Sequence, residues 1–502
     1  MSHDDPAAQR PSLALVPTLA VAAVVLGVLV VLSGRYGYHR DELYFLACGR
    51  HLAWGYPDQP PLVPALARVM SAVSATSVSV LRIPSELAAA GTVVITAALA
   101  RELGAGRTGQ VLAASAIGAS NILLATGHLL STTTFLLTCW AAMALIAVRA
   151  LRSGNGRWWL AFGLVTGVGL LDSDLVAFLA VAIVAGAVVL GPRRSLASPW
   201  AVGGAVLAGA LWSPYLVWQA VHHWPQLDVA RAIARGQSGT SAPRWQVVVL
   251  QFVLCSPPLV PIWLAGMVRL FRDRRIRWAR PLGLAYVLLL VAFLVTSGKP
   301  YYLAAMFPVL IAAGAEPTVR WTRRASPVAR RWSVRAAVAV ALAADAVITL
   351  PLLPVATLHA TPIVAIDYDV GETVAWPRYV DEIAAAYRTV PTGSRATTII
   401  LTRNYGEAGA VDRYGRSLGL PPAYSGHNAY WLWGPPPQDA TTVVAVGLRP
   451  QLLARMFTSV RPAGRLDNGL HVNNDEEGVG VWIADGPTRP WAELWPEVRR
   501  YG

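Results

Sequence analysis

The chain has 502 residues, 55% of them hydrophobic and only 14% charged, with a mean hydropathy of +0.46. One soluble core cannot hide that much apolar surface, so the composition excludes an ordinary cytosolic enzyme and predicts a membrane protein. Apolar runs of about 15 to 24 residues have helix length, and lipid satisfies no backbone polar group, so a transmembrane barrel is excluded too.

The net charge is +14, from 42 Lys+Arg against 28 Asp+Glu. The arginines sit in short loops between apolar runs, where positive charge reports topology rather than nucleic-acid binding. Cys48, Cys139 and Cys255 lie far apart without metal-ligand spacing, so neither a disulfide framework nor a zinc site is expected.

In chain order, spans are expected near residues 13–32, 83–100, 111–125, 134–148, 158–171, 175–190, 200–220, 245–268, 282–296, 301–313 and 336–353, about eleven in all. The first lacks a small-residue cleavage site and reads as an uncleaved anchor. Arg101 and Arg107, then Arg149, Arg152 and Arg157, then Arg193 and Arg194 fall in alternate loops, followed by clusters at 269–280 and 320–335. That pattern places those loops and the N-terminus in the cytoplasm, and everything after Leu353 outside. Gly163 and Gly167 have the small-residue spacing that lets membrane helices approach closely.

Beyond Leu353 the composition shifts to Gly, Pro, Asn and Asp. Candidate strands at 397–401, 443–446 and 481–484, with helical patterns near 379–387 and 451–457, predict a small α/β layer. The chain therefore divides into a membrane module, 1–358, and a soluble extracytoplasmic domain, 359–502.

The outer loop 33–81 is too long for a connector and opens with Tyr38-His39-Arg40-Asp41-Glu42-Leu43-Tyr44-Phe45. On a helix Asp41 and Glu42 point about 100° apart, so only one faces a bound substrate. Such a carboxylate suits a general base, while the plainer reading is an interfacial pair with Arg40 or Arg35. In Gly55-Tyr56-Pro57-Asp58-Gln59-Pro60-Pro61-Leu62 the prolines hold Asp58 on a stiff corner, where it could equally cap the next helix.

Lys299, in Ser297-Gly298-Lys299-Pro300-Tyr301-Tyr302, is the single lysine of the chain. A compact point charge fits a phosphate, and snorkelling beside belt tyrosines fits as well. His128 and the Asp172-Ser173-Asp174 turn are expected to project outward, without a second metal ligand beside either. Arg82 and Glu86, one turn apart in the second span, are expected to pair. His427, Asn428, Tyr430, Trp431 and Trp433 suit a glycan surface or a buried corner of the small domain. No Walker loop or dinucleotide fingerprint is present.

At Arg40-Asp41-Glu42-Leu43-Tyr44 and Asp58-Gln59-Pro60-Pro61-Leu62 the chain resembles glycosyltransferase family 39, the integral-membrane group related to protein O-mannosyltransferases and lipid A aminoarabinose transferases. The resemblance extends through Gly127-His128-Leu129-Leu130-Ser131-Thr132-Thr133 and Gly298-Lys299-Pro300-Tyr301-Tyr302-Leu303. It continues in Asn404-Tyr405-Gly406-Glu407-Ala408-Gly409 and Tyr424-Ser425-Gly426-His427-Asn428, which look like an actinobacterial-type subgroup.

The resemblance implies a GT-C fold: an α-helical polytopic protein of the plasma (inner) membrane with a C-terminal extracytoplasmic α/β domain. It implies inverting transfer of a sugar from a polyprenyl-phosphate donor to a hydroxyl on a glycan, lipid or protein acceptor. Asp41 would be the base with Glu42 its catalytic neighbour, and Lys299 would stabilise the leaving phosphate, a fixed cation worth a few kcal/mol. Asp58, His128, Tyr301, Tyr302, His427 and Asn428 would bind substrate. No cofactor is implied, with a divalent ion left open.

Two departures stand out: Leu136 where related chains carry Asp, and Asp172-Ser173-Asp174 where they carry Lys. The competing readings are a lipid-linked sugar transporter or flippase, and a catalytically silent glycan-binding relative. A transporter needs polar groups near the midplane, often on broken helices.

Overall fold

The computed structural model describes residues 11–239, 241–324 and 327–502. Helix α1 (Leu15–Leu32) is followed by two shorter helices, α2 (Arg40–Arg50) and α3 (Leu62–Val73), before the chain returns as α4 (Val78–Glu102). Helices α5 (Arg107–Gly118) and α6 (Asn121–Gly127) form one stretch bent by 57°. Four more helices follow: α7 (Thr132–Ser153), α8 (Arg157–Leu170), α9 (Leu175–Leu190) and α10 (Pro199–Val221). After α11 (Pro225–Ala234) a second bent pair, α12 (Gln246–Leu254) and α13 (Val260–Arg272), turns by 88°. The bundle ends with α14 (Arg280–Thr296), α15 (Phe307–Thr322) and α16 (Pro327–Thr349).

Among the described residues seven helices are long and apolar enough to cross a membrane, or nine if each bent pair counts as one span. That is fewer than the eleven spans expected; α8 and α9, at 14 and 16 residues too short to count among them, lie at the other two expected positions. The caps follow local chemistry: Ser77, Ser131 and Ser198 accept from the first turns of α4, α7 and α10, and Gly154 ends α7 in the left-handed region. Gly163 serves helix packing as expected, since a Cβ there would stand 2.1 Å from the Gly204 carbonyl oxygen of α10.

The second break also has a local cause. Ser256 has φ +75°, and the prolines after it cannot continue α12. Both breaks are tied to α16. Ser256 Oγ donates to Asp345, Asn121 Nδ2 donates to Asp345 Oδ1 at 3.4 Å, and Ser256 Oγ accepts from Asn121 N at 3.1 Å. Asp345 is not legible as a node from the sequence, because a single acid in an apolar run shows no partner until the chain folds.

The C-terminal region holds a five-stranded sheet of order β2-β1-β3-β5-β4. Strands β1 (Thr398–Thr402), β2 (Ala423–Ser425) and β3 (Thr442–Val446) are parallel, and β5 (Gly480–Pro487) runs antiparallel to both β3 and β4 (Phe457–Arg465). The expected strands correspond to β1, β3 and β5. β1 and β3 are wholly buried apolar runs, legible in sequence. Strand β4 carries no strand signature in the sequence because it is an edge holding Pro462 and a register shift before Gly464. Helices Trp376–Arg388 and Pro450–Met456 match the two expected helical patterns.

Candidate active site

Helix α2 starts from a cap in which Glu42 Oε2 accepts from His39 N at 2.8 Å, with His39 Nδ1 3.2 Å from Asp41 N. That cap turns Glu42 inward and leaves Asp41 on the outer face, with 43% of its side chain exposed. Glu42 is fully buried and holds Arg82 through both oxygens, with Nε and Nη2 at 2.8 Å, while Leu130 N donates at 2.9 Å.

Two expectations are thereby corrected. Arg82 pairs with Glu42 rather than Glu86, because the capping turn of α2 delivers a carboxylate in bidentate geometry that a neighbour on the same helix cannot match. Glu42 is an anchor between α2, α4 and the start of α7, fully buried with both oxygens saturated by donors, which does not suit a catalytic part beside Asp41.

Asp41 meets the C-terminal domain. Its Oδ1 accepts from the Tyr405 hydroxyl at 2.8 Å and lies 3.8 Å from Arg40 Nε, and its Oδ2 lies 4.0 Å from His39 Nδ1. On the other side His39 Nε2 is 3.5 Å from Asp369. Burial opposes charge on His39, but the Asp369 hydrogen bond and the Asp41 charge outweigh it and hold the imidazole up at about 9. Arg40 donates to Tyr368 at 2.8 Å and pairs with Asp475 at 2.7 Å, stitching α2 to the domain.

A stack of rings leads from Asp41 to Asp58. Tyr405 stacks on Tyr44 with centroids 4.5 Å apart and on His427 at 4.6 Å. The Tyr44 hydroxyl donates to Asp58 Oδ1 at 2.8 Å, and Asn428 Nδ2 donates to Oδ2 at 3.0 Å. Burial pushes the Asp58 carboxyl up to about 6, against those two hydrogen bonds and with the Asp41 charge adding to the rise. Asp58 does not cap α3, whose N-cap is Pro61. Instead the corner is pinned by Leu62 N to Leu171 O at 2.8 Å and Gln219 Nε2 to Tyr56 O at 3.1 Å.

The contact between α2 and helix Tyr405–Tyr414 depends on glycine. A Cβ at Gly409 would stand 2.9 Å from the Leu43 backbone, and one at Gly406 would stand 3.0 Å from the Arg40 side chain. Asn404 and Glu407 cap that helix reciprocally, which sets Tyr405 at its first position.

Asp41, Asp58, His427 and Asn428 are thus brought together. Both His427 and Asn428 are 2% exposed, and Trp431 and Trp495 exchange indole-to-carbonyl hydrogen bonds, so this run is largely a buried corner. Trp433, however, stacks on His51 at 4.3 Å, just after α2.

His128 does not project outward. Its ring lies on Leu124 O at 3.1 Å and is buried at 6% exposure, because it closes α6. Asp172 is likewise buried, at 2% exposure, since its turn is tucked against the Asp58 corner.

Lys299 forms a separate group with Tyr301 and Tyr302, its Nζ 6.0 Å from the Tyr301 ring centre. Arg269 Nη2 donates to Leu103 O at the far end of α4, and α14 carries the chain from there back toward the start of α4. Lys299 therefore emerges at the same end of the bundle as α2.

Tyr44, Tyr405 and His39 are the residues that sequence reasoning did not select. The Asn404-x-x-Glu407 capping pattern was the available signal for Tyr405, but nothing local says which surface that helix meets. Among the described residues no group of three or more His, Cys, Asp or Glu side chains is arranged to hold a metal ion.

Residues 58–218 match the family model described as dolichyl-phosphate-mannose-protein mannosyltransferase. No curated protein matches in sequence. The structure is similar to the crystal structure of ArnT from Cupriavidus metallidurans bound to undecaprenyl phosphate, with a TM-score of 0.60, 16% identity, and coverage of 93% of this chain and 97% of that one. The apo form of the same ArnT gives 0.59, with the same identity and coverage. With the matched segment lying inside a fold shared over nearly the whole length, the chain is a membrane protein with the GT-C fold, similar over residues 58–218 to the mannosyltransferase family.

Proposed function

We propose that this protein transfers a sugar from a polyprenyl-phosphate-linked donor to an acceptor hydroxyl at the extracytoplasmic membrane surface, with inversion. In this reading Asp41 is the general base. The acceptor oxygen attacks the anomeric carbon, the bond from that carbon to the lipid phosphate oxygen breaks, and the acceptor proton passes to Asp41. The departing group is a lipid phosphate anion, and Lys299 is the cation that stabilises it, with Tyr301 and Tyr302 lining its approach.

The observation that carries the reading is the half-exposed Asp41 carboxylate, held by the Tyr405 hydroxyl at 2.8 Å at the bundle end where Lys299 also emerges. The fold supports it, since the similar ArnT structure is bound to undecaprenyl phosphate. Asp58 binds substrate at the neighbouring corner, Asn428 fixes its Oδ2 at 3.0 Å, and His427 supports Tyr405 by stacking. His128 has a structural part under this site.

The arginine-rich loops face the cytoplasm together with the N-terminus, and the domain from 359 onward lies outside. The test is donor turnover by purified protein over a panel of polyprenyl-phosphate sugars. Wild type turns over at least one of them, and Asp41→Asn loses roughly a hundredfold or more. Equal turnover by Asp41→Asn would remove Asp41 as the base.

One observation favours a second reading, movement of a lipid-linked sugar across the bilayer: Asp345 sits at the breaks of two bent helices. Flux of a labelled lipid-linked sugar in proteoliposomes, without glycosyl transfer, would select it.

A further inference from the structure

Helix α16 touches the bundle unevenly. Ala341, Asp345 and Thr349 are buried around the two helix breaks, while Val328, Trp332 and Val340 nearer its start are exposed. Between that splayed half and helices α13 and α15 lies a groove of about 440 Å³, walled by Pro258, Ile262, Ala265, Trp321, Val334 and Ala337. Its two hydroxyls are spent within their own helices: Thr318 Oγ1 donates to Gly314 O at 2.8 Å, and Ser333 Oγ donates to Arg330 O at 2.8 Å. What remains facing the groove is mostly hydrocarbon, in a volume within the roughly 300–1,000 Å³ typical of small-molecule sites.

The mouth is basic. Arg330 lies 5.0 Å from the centre of the Trp321 ring and donates to Trp321 O at 3.3 Å. Among the described residues no carboxylate stands within ion-pair reach of Arg330, whereas Arg320 is paired with Glu316 at 2.9 Å. Arg323, Arg324, Arg331 and Arg335 are exposed around the same end. Trp321 and Trp332 are exposed as well, at 44% and 62%, as aromatics at a membrane–water boundary are.

A groove between membrane-spanning helices is bordered by lipid, so its natural occupant is a hydrocarbon chain, and the unpaired cation at its mouth selects an anionic headgroup. We infer that the groove holds one acyl chain of an anionic glycerophospholipid whose phosphate rests against Arg330. The occupant is not the proposed sugar donor, because Lys299 and Asp41 lie at the opposite end of the bundle.

The test uses the full-length protein with phosphatidylglycerol and phosphatidylcholine of identical chains, the retained lipid being counted by native mass spectrometry. Phosphatidylglycerol is expected to be retained in preference, with Arg330→Gln lowering that preference roughly fivefold. Ala337→Phe, which fills the groove, is expected to abolish retention of both lipids. A photoactivatable phosphatidylglycerol on wild-type protein should label peptides containing Trp321 or Val334, a readout that needs no variant to fold. Equal retention of the two lipids, an unchanged preference in Arg330→Gln, or labelling confined to other helices would overturn the inference. So would preferential capture of polyprenyl phosphate in this groove.

Discussion

The Tyr405 hydroxyl donates to Asp41 Oδ1 at 2.8 Å across 364 positions of sequence. The proposed base is therefore oriented by the C-terminal domain, and the membrane module alone lacks that donor. Tyr405→Phe keeps the ring stack with Tyr44 and His427 and removes only the hydroxyl. We expect it to reduce donor turnover about tenfold, the order of one lost hydrogen bond to a charged group. Single-turnover rates with saturating donor check this, alongside Asp41→Asn as the deeper loss.

The Glu42–Arg82 pair is bidentate and almost wholly enclosed, at 0% and 1% exposure. Removing one partner strands a buried charge, which typically costs about 3–5 kcal/mol. Arg82→Leu and Glu42→Gln should each lower the yield of monodisperse protein and its melting temperature. Because both residues are buried and spent on each other, any protein that does fold should keep its donor preference. The double variant should recover part of the loss, and thermal unfolding in detergent of the two singles and the double measures that recovery.

His39 has a definite pH signature. Its folded value is raised to about 9 from 6.5, so the folded state holds the proton more tightly than the unfolded chain. The sign follows: this stabilisation is complete below about 6.5, is lost as the pH rises through about 9, and amounts to ~3 kcal/mol at most. Melting temperatures measured from pH 6 to 10 should fall across that window, and His39→Gln should flatten the fall.

Asp345 ties both helix breaks to α16. Asp345→Leu leaves Ser256 Oγ and Asn121 Nδ2 without their acceptor, a cost of about 1–3 kcal/mol for each buried polar group. Asp345→Asn retains an acceptor and should lose less. Thermal melts rank the two variants, and a larger loss for Asn than for Leu would show that the node does not depend on an acceptor there.

Gly409 sets how closely the domain approaches α2. Gly409→Ala puts a methyl 2.9 Å from the Leu43 backbone, which cannot yield as a flexible side chain would. Separation of the two surfaces should expose Tyr44 and Tyr405 and raise proteolytic nicking between the membrane helices and the sheet, at unchanged helix content by circular dichroism.

Membrane class, the positions of the apolar helices, three of the five strands and the stiff corner that carries Asp58 were all readable from the chain, because each rests on local quantities. Those quantities are the length of an apolar run, the alternation of buried positions, and the stiffness that Pro57, Pro60 and Pro61 impose. What Glu42 does was not readable, since its role depends on Arg82 arriving from another helix. The same holds for His128, which is buried because α6 ends there with the ring on the Leu124 carbonyl. Tyr405, Asn428 and Asp345 act through partners hundreds of residues away or at breaks in other helices. Their pairing is decided by which surfaces pack, and packing is a property of the assembled volume that no window of sequence contains.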